Sequence, residues 1–104
     1  MIDLKQLQKD IYKNKLDKGF NVTDINKEFC LAYGEMAEAY EAWRKKQTDV
    51  GEEIADVVIY LLGLSEILNI NLETEILKKV NKNKHRQYKI INGVNTRVKE
   101  YSEE

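Results

Sequence analysis

Apolar residues recur along the chain at intervals of three and four, which predicts four helices separated by short polar turns. The first, from about Asp3 to Lys18, sets Leu4, Leu7 and Ile11 at helical spacing and stops at Gly19, a residue suited to a left-handed cap. The second runs from about Thr23, a candidate N-cap, to Lys46, with Ile25, Phe29, Ala32, Met36, Ala39, Tyr40 and Trp43 on one face. The third begins at Asp49, where Asp49 and Glu52 have the spacing of a capping box, and continues to about Leu68. Its apolar positions leave only a narrow polar sector near Glu52 and Glu66, the pattern of a helix buried on most sides. A chain this short hardly buries such a helix alone, so a partner subunit is expected to cover part of it, most simply across a two-fold axis.

Asn71 is a candidate cap for the fourth helix, which carries Leu72, Ile76 and Val80 and runs to about Tyr88. Asn92-Gly93 between Ile90-Ile91 and Val94 is a short hairpin signal, although the charged end also suits an irregular tail. The expected architecture is therefore all-α and four-helix bundle-like: one domain over residues 1–88, then a C-terminal tail over 89–104.

Composition sharpens this picture. Average usage would put about 5 prolines in a chain of this size; there are none, and 34% of the 104 residues are charged, which favours long helices with solvated faces. Cys30 has no second cysteine to pair with, so the fold is held by packing and suits a reducing compartment. Cys30 itself is expected to serve in packing. The start, Met1-Ile2-Asp3-Leu4-Lys5-Gln6, mixes charge with apolar residues and carries no export signal. The longest apolar run, Val57 to Leu64, falls far short of the roughly 20 residues that cross a bilayer. A cytoplasmic protein with no membrane partner is expected. A net charge of −1 gives no global field for gripping nucleic acid, so none is expected as a partner.

Candidate chemistry gathers in two acidic steps. Glu53 and Asp56 lie three apart on the third helix, on a face shared with Tyr60, Leu64 and Ile67. Carboxylates on an apolar face need a cation, a basic side chain or a hydrogen-bond network; alternatively, the helix dipole and nearby solvent stabilise acids in the first turns. Glu35 and Glu38 repeat the spacing on the second helix, with Glu28 on nearly the same side as Glu35. Taken alone they read as solvated surface glutamates. If the two steps meet, however, each pair of charges at 4 Å repels by about 4 kcal/mol at an effective dielectric of 20, and a divalent cation is the natural remedy. All-carboxylate ligation suits Mg²⁺ or Mn²⁺. On the fourth helix Lys79, Asn83 and Arg86 share a face; they are either a phosphate-binding stripe or a solvated basic helix end. His85 has Lys82 rather than Glu three residues before it, which removes the Glu-x-x-His signature of di-iron bundles.

Together, Glu35-Met36-Ala37-Glu38, then Glu53-Ile54-Ala55-Asp56, then Lys79 through Arg86 resemble the pattern of the MazG-type all-α nucleoside triphosphate pyrophosphohydrolases, over about Phe20 to Tyr88. The resemblance implies Mg²⁺ held by Glu35, Glu38, Glu53 and Asp56, with the same four residues as the catalytic set. It implies substrate binding by Lys79, Asn83 and Arg86, and assembly as a homodimer or dimer of dimers. The implied reaction is hydrolysis of non-standard or surplus nucleoside triphosphates to monophosphate and pyrophosphate. Many relatives carry a further acid just before the first pair, where this chain has Tyr33-Gly34. The alternative is a non-catalytic helical dimerisation or regulatory module that retains the bundle; it predicts no response to divalent cations.

Overall fold

In the computed structural model, residues 1–99 are described. The protein is mostly helical, with α1 (Leu4–Asp17), α2 (Ile25–Arg44), α3 (Val50–Ile67) and α4 (Leu72–His85), followed by strands β1 (Gln87–Ile91) and β2 (Val94–Lys99). No described helix is long and apolar enough to cross a membrane. The chain forms two compact units, Met1–Leu72 and Glu73–Glu104.

In the first unit α3 is central and packs against both α1 and α2. Leu62 of α3 is fully buried, with Leu64 and Val57 buried beside it, while α2 contributes the small residues Ala32, Ala39 and Ala42. Small side chains on that line let α2 approach α3 closely. The result shifts the inward face of α2 from the one its large apolar residues predict. Phe29, Met36, Tyr40 and Trp43 are exposed, and Glu28 and Glu35 turn inward with the alanines. Cys30 is exposed too, so it does not serve in packing as expected.

Capping accounts for the helix boundaries. Asp3 caps α1 by accepting from Gln6 N at 3.0 Å. Asp24 caps α2 by accepting from Lys27 N at 3.1 Å, one residue beyond the predicted Thr23. At the end of α1, Gly19 takes φ +70°, Gly19 N donates to Leu16 O and Phe20 N to Lys15 O, the paired bonds of a Schellman turn. The same two bonds close α2 and α3 with Lys46 and Asn69 in the left-handed position.

A polar clasp ties α1 to the far end of α3. Buried Gln8 donates to Glu66 Oε1 at 2.9 Å and to Ile70 O at 2.6 Å, and its own oxygen accepts from Leu72 N at 3.3 Å.

In the second unit α4 stops at His85, before the predicted Tyr88, because Tyr88 belongs to β1 and pairs with Arg97 across an antiparallel hairpin. Asn92 (φ 52°) and Gly93 (φ 77°) are both left-handed, which is the requirement of a type I′ two-residue turn. Residues 100–104 of the expected tail lie outside the described residues.

Candidate metal centre

The inward shift of α2 sets Glu35 toward α3, and Glu38 follows one turn later. From α3, Glu53 points back. One carboxylate oxygen from each of Glu35, Glu38 and Glu53 lies within 4.8 Å of the others, with Glu35 and Glu53 half-buried and Glu38 exposed. Asp56 is exposed and is not part of this group. Its charge nevertheless reaches Glu35, Glu53 and Tyr60.

Electrostatics report the crowding. Glu35 holds its proton above the usual carboxylate range, through desolvation first, then the charge of Glu38, that of Asp56, a hydrogen bond with Glu38, and the charge of Glu53. Glu53 is raised as well, by desolvation and then by Asp49, Glu38, Asp56 and Glu52. The phenol of Tyr60, one turn beyond Asp56, is raised by burial and then by the charges of Glu35, Glu28, Asp56 and Glu38. Among the described residues no lysine or arginine forms an ion pair with Glu35, Glu38, Glu53 or Asp56.

Two oxygens define what the cluster lacks. Glu53 Oε2 and Asp49 Oδ1 are withdrawn from solvent and have no hydrogen-bond partner among the described residues. Buried polar atoms are almost always paired, and an unpaired carboxylate oxygen pays its full desolvation penalty. Convergent carboxylates with an orphaned oxygen fit a hard divalent cation such as Mg²⁺ or Mn²⁺. The expected capping box at Asp49 is therefore absent: its side chain makes no cap bond and stands beside Glu53 instead.

Lys79 and Asn83 lie exposed on α4, while Arg86 follows its end and is half-buried. Arg86 Nη1 donates to Asn83 Oδ1 at 3.1 Å, and Arg86 N donates to Asn83 O at 3.3 Å. Arg86 thus folds back on Asn83 in the turn between α4 and β1 rather than extending the helical stripe.

The sequence model of the MazG-like family matches residues 25–103. The chain belongs to the MazG-like family. Neither the curated proteins nor the solved structures hold a match to it. The MazG-like region takes in both acidic steps and α4, and it extends through the hairpin, beyond the Tyr88 limit of the motif resemblance.

Sequence reasoning about this MazG-like chain missed two groups. The spacing of Asp49 from Glu52 matches a capping box, whereas in the fold its side chain makes no cap bond and its charge acts on Glu53. Lys15 and Glu28 form a buried ion pair between α1 and α2. Asn21 Nδ2 donates to the second Glu28 oxygen at 3.2 Å, and the Lys15 ammonium sits 5.2 Å from the Tyr60 ring centroid. A lysine and a glutamate thirteen residues apart carry no local signal of pairing.

Proposed function

We propose that the protein hydrolyses nucleoside triphosphates, non-standard or surplus ones, to nucleoside monophosphate and pyrophosphate in a Mg²⁺-dependent reaction. The observation that carries this reading is the convergence of Glu35, Glu38 and Glu53 oxygens within 4.8 Å, with Glu53 Oε2 orphaned. Membership of the MazG-like family supports the pyrophosphohydrolase class.

In this reading Glu35, Glu38 and Glu53 hold the cation, and Asp56 completes the set by a side-chain rotation that its exposure allows. When bound there, a divalent ion would supply positive charge against the triphosphate and would make water more acidic. The carboxylates are placed to orient a water toward the α-phosphorus, and one of them would accept its proton. The water oxygen bonds to the α-phosphorus, the α–β anhydride bond breaks, and pyrophosphate leaves. Lys79, Asn83 and Arg86 are assigned to the phosphates by the sequence pattern they share with the family, and their cationic and amide groups suit that role.

The second component is assembly. Along α2, Phe29, Tyr33, Met36, Tyr40 and Trp43 form an exposed line at alternating steps of four and three, and Ile54, Val58 and Leu61 form another on α3. Such seams are what one helix presents to another. A second copy of the chain would cover them in a homodimer, or two such pairs in a homotetramer.

Pyrophosphate release from a panel of ribo- and deoxyribonucleoside triphosphates, with Mg²⁺ and with EDTA, tests the activity. Turnover with Mg²⁺, abolished by EDTA and lowered at least about 100-fold by Glu53→Gln or Asp56→Asn, is expected. No turnover on any substrate, or undiminished turnover in both variants, would overturn the assignment.

A further inference from the structure

The net charge of −1 conceals an uneven distribution: from Ile76 to Lys99 the chain carries eight lysines and arginines and no aspartate or glutamate. At physiological ionic strength charges more than about 8 Å apart are largely screened, so acids elsewhere in the chain offset this stretch only where they lie close to it. The 14 residues of α4 extend about 21 Å and the five of β1 about 16 Å. Either element is long enough to present a positive surface of its own. Lys78 and Lys84 of α4, Lys89 of β1 and Lys99 of β2 are exposed and, among the described residues, enter no ion pair.

The hairpin buries no core. Every residue of its strands is exposed except Thr96, which is half-buried, and a two-stranded hairpin alone is marginal in water and gains stability from whatever covers a face. Tyr88 stands opposite Arg97 and Ile90 opposite Asn95, so these four share one face, on which Tyr88 is 50% exposed. Lys89, opposite Thr96, lies on the other face, and Lys99 stands opposite Gln87 at the open end. An aromatic ring beside a guanidinium, flanked by ammonium groups, is complementary to a base that stacks on the ring while cations hold the phosphates beside it. A second copy of the hairpin is a poor occupant, because it would gather Lys89, Arg97 and Lys99 of both copies with no acid among them.

We propose that the hairpin binds single-stranded nucleic acid without sequence preference, with Tyr88 stacking on a base, Lys89 and Lys99 contacting phosphates, and the α4 lysines raising the local positive potential. Such binding replaces the expectation, drawn from whole-chain charge, that nucleic acid is no partner. It uses none of Glu35, Glu38, Glu53, Asp56, Lys79, Asn83 or Arg86, so it stands or falls apart from the hydrolase reading.

The test titrates the full chain in EDTA into fluorescently labelled oligo(dT) and oligo(U) of about 15 nucleotides, and into a DNA duplex of similar length, followed by anisotropy. Both single strands are expected to bind at micromolar protein in about 50 mM salt and to weaken at least about tenfold by about 200 mM. Lys89→Gln with Lys99→Gln is expected to reduce the slope of log affinity against log salt by about 1.4, whereas Lys89→Arg with Lys99→Arg keeps it. Tyr88→Ala is expected to weaken both single strands about fivefold or more, with the salt slope and the duplex affinity unchanged, and Tyr88→Phe to bind as wild type. No binding of either strand in the lower salt, a slope that the glutamine pair leaves intact, or an equal loss on duplex and single strands in Tyr88→Ala would each overturn the proposal. A glutamine pair that keeps wild-type affinity but shifts the sedimentation coefficient would overturn it in favour of a contact between copies of the chain.

Discussion

Glu28 is 1% exposed, and its partner Lys15 is nearly as deep. Breaking a buried pair strands the remaining charge, at a cost of about 3–5 kcal/mol, while replacing both members with apolar residues of similar size is often close to neutral. Chemical denaturation is therefore expected to show Glu28→Ala as severely destabilised and the double change Lys15→Met with Glu28→Leu as much less so. Similar losses in both would show that the pair stabilises through more than mutual compensation. Glu35 makes an opposite prediction. Its proton is held more tightly in the fold than in the unfolded chain, so in metal-free protein its contribution turns unfavourable as pH rises above the usual value of about 4.5. Without divalent ions, the melting temperature of Glu35→Gln should rise relative to wild type as pH increases from 4 to 7. A constant difference across that window would contradict the crowding. The individual acids were legible in the sequence by their three-residue spacing. Their inward direction was not, because Ala32 and Ala39 share one apolar stripe with Phe29, Met36, Tyr40 and Trp43, and only packing centres the inward face on its alanine edge, where Glu28 and Glu35 lie.

At the scale of elements, the caps divide cleanly. Asp3 and Asp24 accept backbone bonds and Asp49 does not. Replacing either of the first two with Ala is expected to cost about 1 kcal/mol in denaturation. Asp49→Ala, measured in EDTA, should cost less than either, since it loses no cap bond and removes a negative charge beside Glu53. An equal loss at all three would place Asp49 among ordinary caps. The four helices and most of their ends were readable from apolar period and turn residues, to within two or three positions. The hairpin was readable only as a signal at Asn92-Gly93, because two short strands of exposed residues leave no buried face to mark them. The same lack of a local mark hid where α4 ends: its charged tip runs into Tyr88 without a proline or glycine, and cross-strand pairing decides the boundary.

For the molecule as a whole, too much apolar surface is left outside the fold of one chain. Tyr40 and Trp43 are 58% and 66% exposed, and Val58 of the helix expected to be buried on most sides is 47% exposed. Sedimentation velocity is expected to find a dimer or tetramer, shifted toward monomer by Tyr40→Glu or Val58→Glu. A wild-type monomer at micromolar concentration would contradict the proposed assembly. If α2 and α3 bring their acids to one ion, the purified protein binds a divalent cation. Mn²⁺ binding to the purified protein, followed by the loss of the free-ion electron paramagnetic resonance signal, measures this directly. Saturable binding that Mg²⁺ displaces and that Glu53→Gln weakens at least about tenfold is the predicted result. No binding, or equal binding by wild type and Glu53→Gln, would contradict it.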